Sequence, residues 1–599
     1  MDRRTLLAAG AALAASPALA QPRGGDSAAL TAFLDAEYEK QLQMDPEEMT
    51  SQGRKDRYDQ LTDRSEAEAD RVLAWRRRSV AQMKARFDPA KLDEEARTSF
   101  EVWELELTRA EKRRAFRRHP YIFAIGGGHT GLPNFMINFH RVDDQGDAKA
   151  YIERVGAIGP RLDQLLVRAK AGAADGVRMP RFSYDRSLDE IRRVTAGAPF
   201  DAGPDCALYA DGKAKIAALK LPAPTAEALN ADLARAMTTR MKPAYDRVSA
   251  WLTANREKAS PEAKGAGSLP RGAAYYANAL YLQTTTDMTA EQIHQLGLSE
   301  VARIRGEMEA VKARTGFTGS LEDFFVFMRT DRRFYLPNTD AGRAEYLKLA
   351  DGYLTAMKRK LPQYFGRLPK ADLVVKRVEA FREEPGGAQH YFAGTPDGSR
   401  PGIFYAHLSD MNAMPTYQLE NIAYHEGLPG HHMQISIAQE LTGLPKFRGQ
   451  YGYTAYVEGW GLYSEALAKE MGFDTDPYND FGRLSGEIWR AIRLVLDTGI
   501  HAKGWTEAQA NAYFIANSAQ PEAAIKSEVR RYIVSPGQAT CYKIGMIRLQ
   551  QLRDRARTQL GPRFDYRTFH DAVLTGGALP LPVLEGRIDR WIAARKAAA

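Results

Sequence analysis

Tyr424-His425-Glu426-Gly427-Leu428-Pro429-Gly430-His431-His432-Met433-Gln434 decides how the chain is read, because it gathers three of the eleven histidines and a carboxylate within eight residues. Imidazoles and carboxylates at that density are metal-ligand chemistry. Zinc hydrolases carry His-Glu-x-x-His on a helix, where ligands four apart share a face and the Glu beside the first His reaches the water to be activated. Here the residue four past His425 is Pro429, which cannot ligate. In an unbroken helix His432 returns to the face of His425, but about 10 Å further along the axis, too far to share one ion. Pro429 lacks an N–H, and its ring clashes with the carbonyl of residue 425, so a regular helix cannot pass. Gly427 and Gly430 tolerate the dihedrals that follow. The stretch therefore predicts a helix with two residues bulged out, bringing His431 to the second ligand position, with His432 as the alternative.

A third ligand is expected on a later helix. Tyr456-Val457-Glu458-Gly459-Trp460-Gly461-Leu462-Tyr463-Ser464-Glu465 offers two carboxylates seven apart, on one helical face. Alone, each would be read as an ordinary solvated charge. Beside the histidines, Glu458 is the expected metal ligand, and Glu465 is placed to hold a ligand imidazole.

These residues, with Arg531-Tyr532, Pro536-Gly537-Gln538-Ala539 and Tyr542-Lys543-Ile544-Gly545, resemble the bacterial family catalogued as domain of unknown function 885, grouped with the gluzincin metallopeptidases. The resemblance covers nearly all of the chain after its first residues. It implies a mainly α fold with a small β-sheet, two helical lobes around a central cleft as in the oligopeptidases, and one Zn(2+) per chain. Zinc peptidases hold the oxyanion of the scissile carbonyl with a phenol or imidazole from a separate segment. Tyr542 is the first candidate for that and Tyr532 the second. Arg531 could grip a substrate carboxylate with its planar fork, and Gln538 joins Arg531 and Tyr532 as expected substrate-binding residues.

The first residues, Met1-Asp2-Arg3-Arg4 followed by an Ala/Leu-rich run to Ala18-Leu19-Ala20, have the charged start, short apolar core and Ala-x-Ala ending of a secretory signal, with the paired arginines of the twin-arginine route. The run is too short for a stable membrane span. A periplasmic or secreted protein with no stable membrane insertion is expected. The formal charge of +8 is spread along the chain rather than blocked, which argues against a nucleic-acid partner. Cys206 and Cys541 are the two thiols; in an oxidising compartment they could pair or stay buried and free.

Elsewhere the pattern is chiefly helical. Leu30, Phe33, Leu34, Tyr38 and Leu42 recur at helical intervals, and Ile293 through Val311 form a long apolar stripe opened by a capping box of Thr289 with Gln292. Gly126 to Gly131 is formally a G-x-G-x-x-G, but Pro133 and Asn134 interrupt the helix a dinucleotide site requires, and a loop is expected. Gly402 to Leu408 is rich in β-formers; by the resemblance, a strand just ahead of the metal helix would receive an extended substrate along its edge. Asp497 and His501, four apart on a helix, suggest a carboxylate holding an imidazole, with His501 as a catalytic partner of Tyr542. No G-x-S-x-G elbow marks a serine nucleophile.

The expectation is a signal over residues 1–20, an N-terminal helical lobe over 21–270 and a catalytic lobe over 271–599. Zinc sits on His425, His431 and Glu458, with Glu426 as general base, hydrolysing amide bonds in short peptides. A metal-dependent amidase for other amides and a non-catalytic peptide-binding protein are the alternatives.

Overall fold

The computed structural model describes residues 25–598 apart from 379–382, 384–386, 388 and 396–399; the expected export signal lies outside the described residues. Among the described residues the fold is mainly helical with one three-stranded sheet, and no helix there is long and apolar enough to cross a membrane. Helix starts follow local capping chemistry. Ser65 and Asp93 accept the backbone N–H three residues on, and the boxes of Thr289 with Gln292 and Thr506 with Gln509 are both closed.

The apolar stripes pack into several cores, and the largest does not respect the lobe boundary expected near residue 270. Helices Gly25–Gln43, Glu66–Arg86 and Glu94–Ala115 bury Leu34, Met83 and Trp103 in one cluster with Phe404, Tyr424, Trp460, Leu549 and Leu584. The ring of Trp103 stands 5.1 Å from that of Phe447, edge to face. The segment from Phe123 to Ala259 forms a separate core. A periodic stripe says that a helix buries one face, but not against what, and so the sequence did not place the first three long helices against the elements that carry His425 and Glu458.

A third core joins helix Ala290–Arg314 to helix Pro477–Ala502. The predicted stripe is there, with Ile293, Val301, Ile304, Met308 and Val311 buried and Leu296 at its edge. The glycine segment departs from expectation: a helix runs from Gly128 to Phe139 with Pro133 inside it.

The sheet has the order β1 (Leu373–Arg377), β3 (Gly402–Ala406), β2 (His390–Phe392). β1 pairs with β3 in parallel, Leu373 facing Gly402, and β2 pairs with it antiparallel, Tyr391 facing Phe404. The strand ahead of the metal helix is therefore central and buried throughout. Both its edges are taken, so an extended ligand could add only to β1 or β2.

Candidate metal centre

The helix carrying His425 runs from Leu419 to Glu426 and stops; a new helix begins at His431 and continues to Gln439. The expected outward bulge is thus a full break. The Leu428–Pro429 peptide is cis, and a Cβ on Gly430 would lie 1.9 Å from the carbonyl oxygen of His425, so only glycine lets the chain double back this tightly. The turn is tied from outside: the carbonyl of Pro429 accepts from Trp460 Nε1 at 2.9 Å and from Ser464 Oγ at 3.2 Å.

Trp460 and Ser464 belong to helix Thr454–Glu470, which also carries Glu458 and Glu465. The tie that fixes the turn therefore fixes the third ligand against the first two. His425, His431 and Glu458 each offer a ligand atom, all within 4.8 Å of one another. The Nε2 atoms of His425 and His431 lie 3.6 and 3.7 Å from Glu458 Oε2. A tetrahedral ion with bonds of about 2.0–2.1 Å spaces its ligand atoms about 3.4 Å apart, so the donor set fits zinc with small adjustments. The two imidazoles stand nearly perpendicular, at 86°.

Each histidine is held from behind. Glu465 Oε1 lies 2.6 Å from His425 Nδ1, and Glu465 Oε2 accepts from Asn421 Nδ2 at 2.7 Å. With Nδ1–H donating to Glu465, Nε2 of His425 keeps its lone pair for a metal. The amide of Gln434 lies 2.8 Å from His431 Nδ1, and its Nε2 also donates to Val457 O at 2.9 Å. Ligation through Nε2 of His431 needs the amide oxygen turned to the ring, a half-turn of this side chain that gives up its bond to Val457 O.

Burial opposes charge on His425, yet its contacts with Glu458 and Glu465 raise its pKa to about 10. Burial likewise opposes the charge on Glu458, but the two imidazoles hold its carboxylate well below the usual range.

His432, the alternative ligand, is turned away. Its Nε2–H donates to Ala371 O at 3.0 Å, and Nδ1 lies 3.1 Å from the Tyr391 hydroxyl. Burial pushes its pKa down to about 4. It is a neutral strut between the helix of His431 and the sheet.

Glu426 is half-buried beside His425, and no hydrogen bond or ion pair engages its carboxylate among the described residues. Tyr542 is brought near by a backbone-to-backbone crossing. A Cβ on Gly459 would lie 2.5 Å from Gly545 C, so helix Cys541–Leu560 approaches the Glu458 helix closely enough to set Tyr542 beside it. Burial first, and then the charge of Glu458, raise the Tyr542 phenol. The guanidinium of Arg493 lies 4.8 Å from the centre of its ring.

Four other expectations are corrected. His501 is 1% exposed, its Nδ1 accepts from Ala266 N–H at 2.8 Å and its Nε2–H donates to Tyr532 O at 3.0 Å, so neither nitrogen is free for an oxyanion. Asp497 does not hold it; that carboxylate accepts from Tyr276 OH at 2.6 Å and Gly537 N at 3.0 Å. Tyr532 is fully buried, its hydroxyl donating to Glu528 and accepting from Arg493 and Trp489. Arg531 spends its fork on Glu528, at 3.1 and 2.9 Å, and its remaining Nη1 on Gln538 Oε1 at 2.5 Å, which occupies Gln538 as well. Cys206 and Cys541 are both buried and free.

Arg493, Glu528, Asn421 and Gly461 were not singled out in the sequence. A Cβ on Gly461 would lie 2.6 Å from His425 Cε1, and the only available signal was its spacing three past Glu458.

Over residues 46–588 the sequence matches the family described as "Bacterial protein of unknown function (DUF885)". The chain belongs to the DUF885 family. Among solved structures, this DUF885 protein is similar to one from Colwellia psychrerythraea described as a putative lipoprotein, with 28% identity, a TM-score of 0.86, and 95% of this chain and 100% of that one covered. A putative lipoprotein of unknown function from Shewanella oneidensis shares the fold at 18% identity and a TM-score of 0.73, covering 93% of this chain and 99% of that one. No curated protein matches.

Proposed function

We propose that this DUF885 protein is an exported zinc-dependent hydrolase, gluzincin-like in its chemistry, that cleaves amide bonds in short peptides. The observation that carries the reading is the convergence of His425, His431 and Glu458 with an unpartnered carboxylate, Glu426, on the residue next to the first ligand. A protein that only binds metal has no need of a free base there. Export is supported by the secretory pattern of residues 1–20 and by the lipoprotein descriptions of the two structural relatives.

Zinc in the cluster would supply Lewis acidity, lowering the pKa of water toward about 7 and polarising the scissile carbonyl. Glu426 accepts the proton of the attacking water on a carboxylate oxygen and passes it to the leaving nitrogen. Tyr542 donates its O–H to the oxygen of the tetrahedral centre. Glu465 and Gln434 keep the two imidazoles oriented throughout.

The test is hydrolysis of a short-peptide panel by the zinc-loaded protein and by Glu426→Gln. The variant is expected to keep one zinc per chain and lose about 10²–10⁴-fold in kcat. A variant as active as the wild type, or a zinc-loaded wild type that cleaves no amide, overturns the reading.

A further inference from the structure

A cavity of 730 Å³ lies outside the candidate metal centre. Tyr38 and Leu42 of the largest core wall it on one side, and Arg168, on helix Gln145–Ala174 of the second core, walls it on another. Ligand sites favour such seams between separately packed bodies. Residues 450–453 also line it, just ahead of the helix that carries Glu458. His425, Glu426, His431, Glu458 and Tyr542 are not among its lining residues.

Seven arginines and seven carboxylates line the cavity, so its formal charge is zero and a polyanion gains nothing from the field as a whole. The pairing among them is uneven. Glu106 serves Arg109 at 2.8 Å and Tyr453 at 3.1 Å, while Arg113 stands 3.7 Å from it. Arg114 and Arg117 share Asp70, and Arg76, 7% exposed, is spent on Gln41 and Tyr451. Arg168 donates to the Arg64 carbonyl at 3.4 Å and forms no ion pair among the described residues. On the acidic side, Glu48 accepts from Gln52 at 2.8 Å and Asp63 from the Ser65 N–H at 2.8 Å, and neither has an ion pair among the described residues. Charges of opposite sign thus line one cavity without meeting across it.

Holding them so is costly. Half of the Arg113 side chain is open, yet burial pushes its pKa down, with Glu106 pulling against that and Arg109 adding to it. Its open half faces the cavity, where protein hems in the water. Burial also lowers the pKa of Arg168, against the charge of Glu66. A carboxylate brought to these guanidiniums relieves the cost through charge-assisted N–H···O bonds, and an ammonium does the same for Glu48.

We propose that this cavity is a second binding site, separate from the metal centre, for a linear zwitterion of short-peptide length, its carboxylate at Arg113 and Arg168 and its ammonium at Glu48. A volume of 730 Å³ is about 9 Å on a side, which suits two or three extended residues at about 3.5 Å each.

This assignment does not depend on the hydrolase reading. Calorimetry on the zinc-loaded protein uses 8-aminooctanoate, which matches triglycine in the length between its charged ends but has no amide to cleave; octanoate and octylamine carry one end each. The zwitterion is expected to bind about 10- to 100-fold tighter than either, and triglycine to compete with it. Arg113→Gln combined with Arg168→Gln should weaken it to the level of octylamine, and Glu48→Gln to that of octanoate. Stripping the zinc should leave the affinity unchanged, because no metal ligand lines the cavity. Where a variant does not fold, a crystal of the wild-type protein soaked in 8-aminooctanoate decides, with density expected between Arg113 and Glu48. Equal binding of the three probes, no binding, density elsewhere, an affinity that vanishes with the zinc, or full affinity in the folded variants overturns the assignment. None of these outcomes bears on the hydrolysis test of Glu426→Gln, so the two readings fail separately.

Discussion

Glu465 Oε1 lies 2.6 Å from His425 Nδ1, while Glu465 Oε2 accepts from Asn421 at 2.7 Å. The pair fixes both the tautomer and the angle of the first ligand. Glu465→Gln keeps the shape but offers Nδ1–H a weaker acceptor. Zinc affinity, measured by competition with a chromophoric chelator, should fall about 10- to 100-fold with stoichiometry still one. An unchanged affinity would mean that the contact does not support the metal.

The chain reversal between His425 and His431 depends on Gly430, whose missing Cβ would lie 1.9 Å from His425 O and 2.3 Å from Tyr424 O. Both are backbone atoms that cannot swing aside. Gly430→Ala should therefore abolish zinc binding and destabilise the fold by about 2–4 kcal/mol in urea unfolding. Gly352, with open space around its Cβ position, is the control: Gly352→Ala should leave zinc binding alone.

His431 and His432 are neighbours with opposite duties. His431→Ala should lose zinc. His432→Ala should retain one zinc per chain by elemental analysis, while losing about 1–3 kcal/mol of stability with its bonds to Ala371 and Tyr391. The reverse pattern would show that the two imidazoles have been assigned the wrong way round.

Asp474 is fully buried, and both its carboxylate oxygens lack partners. Burial first, and the charge of Glu420 second, push its pKa up from 3.8 to about 8. The unfolded chain releases this proton near its ordinary value and the folded protein keeps it to about pH 8. Between those values the folded state binds more protons, so Asp474 makes stability fall as pH rises. Asp474→Asn removes the charge and suits the left-handed backbone at this position, φ +52°. Its stability gain over wild type should be small at about pH 4 and grow to about 1–3 kcal/mol at about pH 8. Thermal unfolding at both pH values checks this; a gain independent of pH would contradict it.

The cluster of His425, His431 and Glu458 could be read from sequence because its constraint is local. Proline at the place of the usual second ligand forces a break, and glycines on both sides permit one, so His431 follows from chain geometry. Glu458 and Glu465 followed from a seven-residue spacing on one helix. What failed depended on partners that spacing does not reveal. His501 and Tyr532 have the right functional groups, but Ala266, 235 residues from His501, and Arg493, 39 from Tyr532, already occupy their polar atoms, and Glu528, four residues before Tyr532, takes its hydroxyl proton. Arg531 stands out in the sequence because it sits in a recognisable motif, although Glu528 takes its fork. Helical content and the small sheet were visible in the pattern, whereas the central place of β3 came from the pairing of two strands that flank it.

The central claim is most directly tested by a crystal structure grown with zinc and measured at the zinc absorption edge. The account predicts one anomalous peak about 2.0–2.2 Å from Nε2 of His425, Nε2 of His431 and a carboxylate oxygen of Glu458, with the Gln434 amide oxygen turned toward His431. A peak ligated by His432, or no peak among these three side chains at full zinc loading, would contradict it.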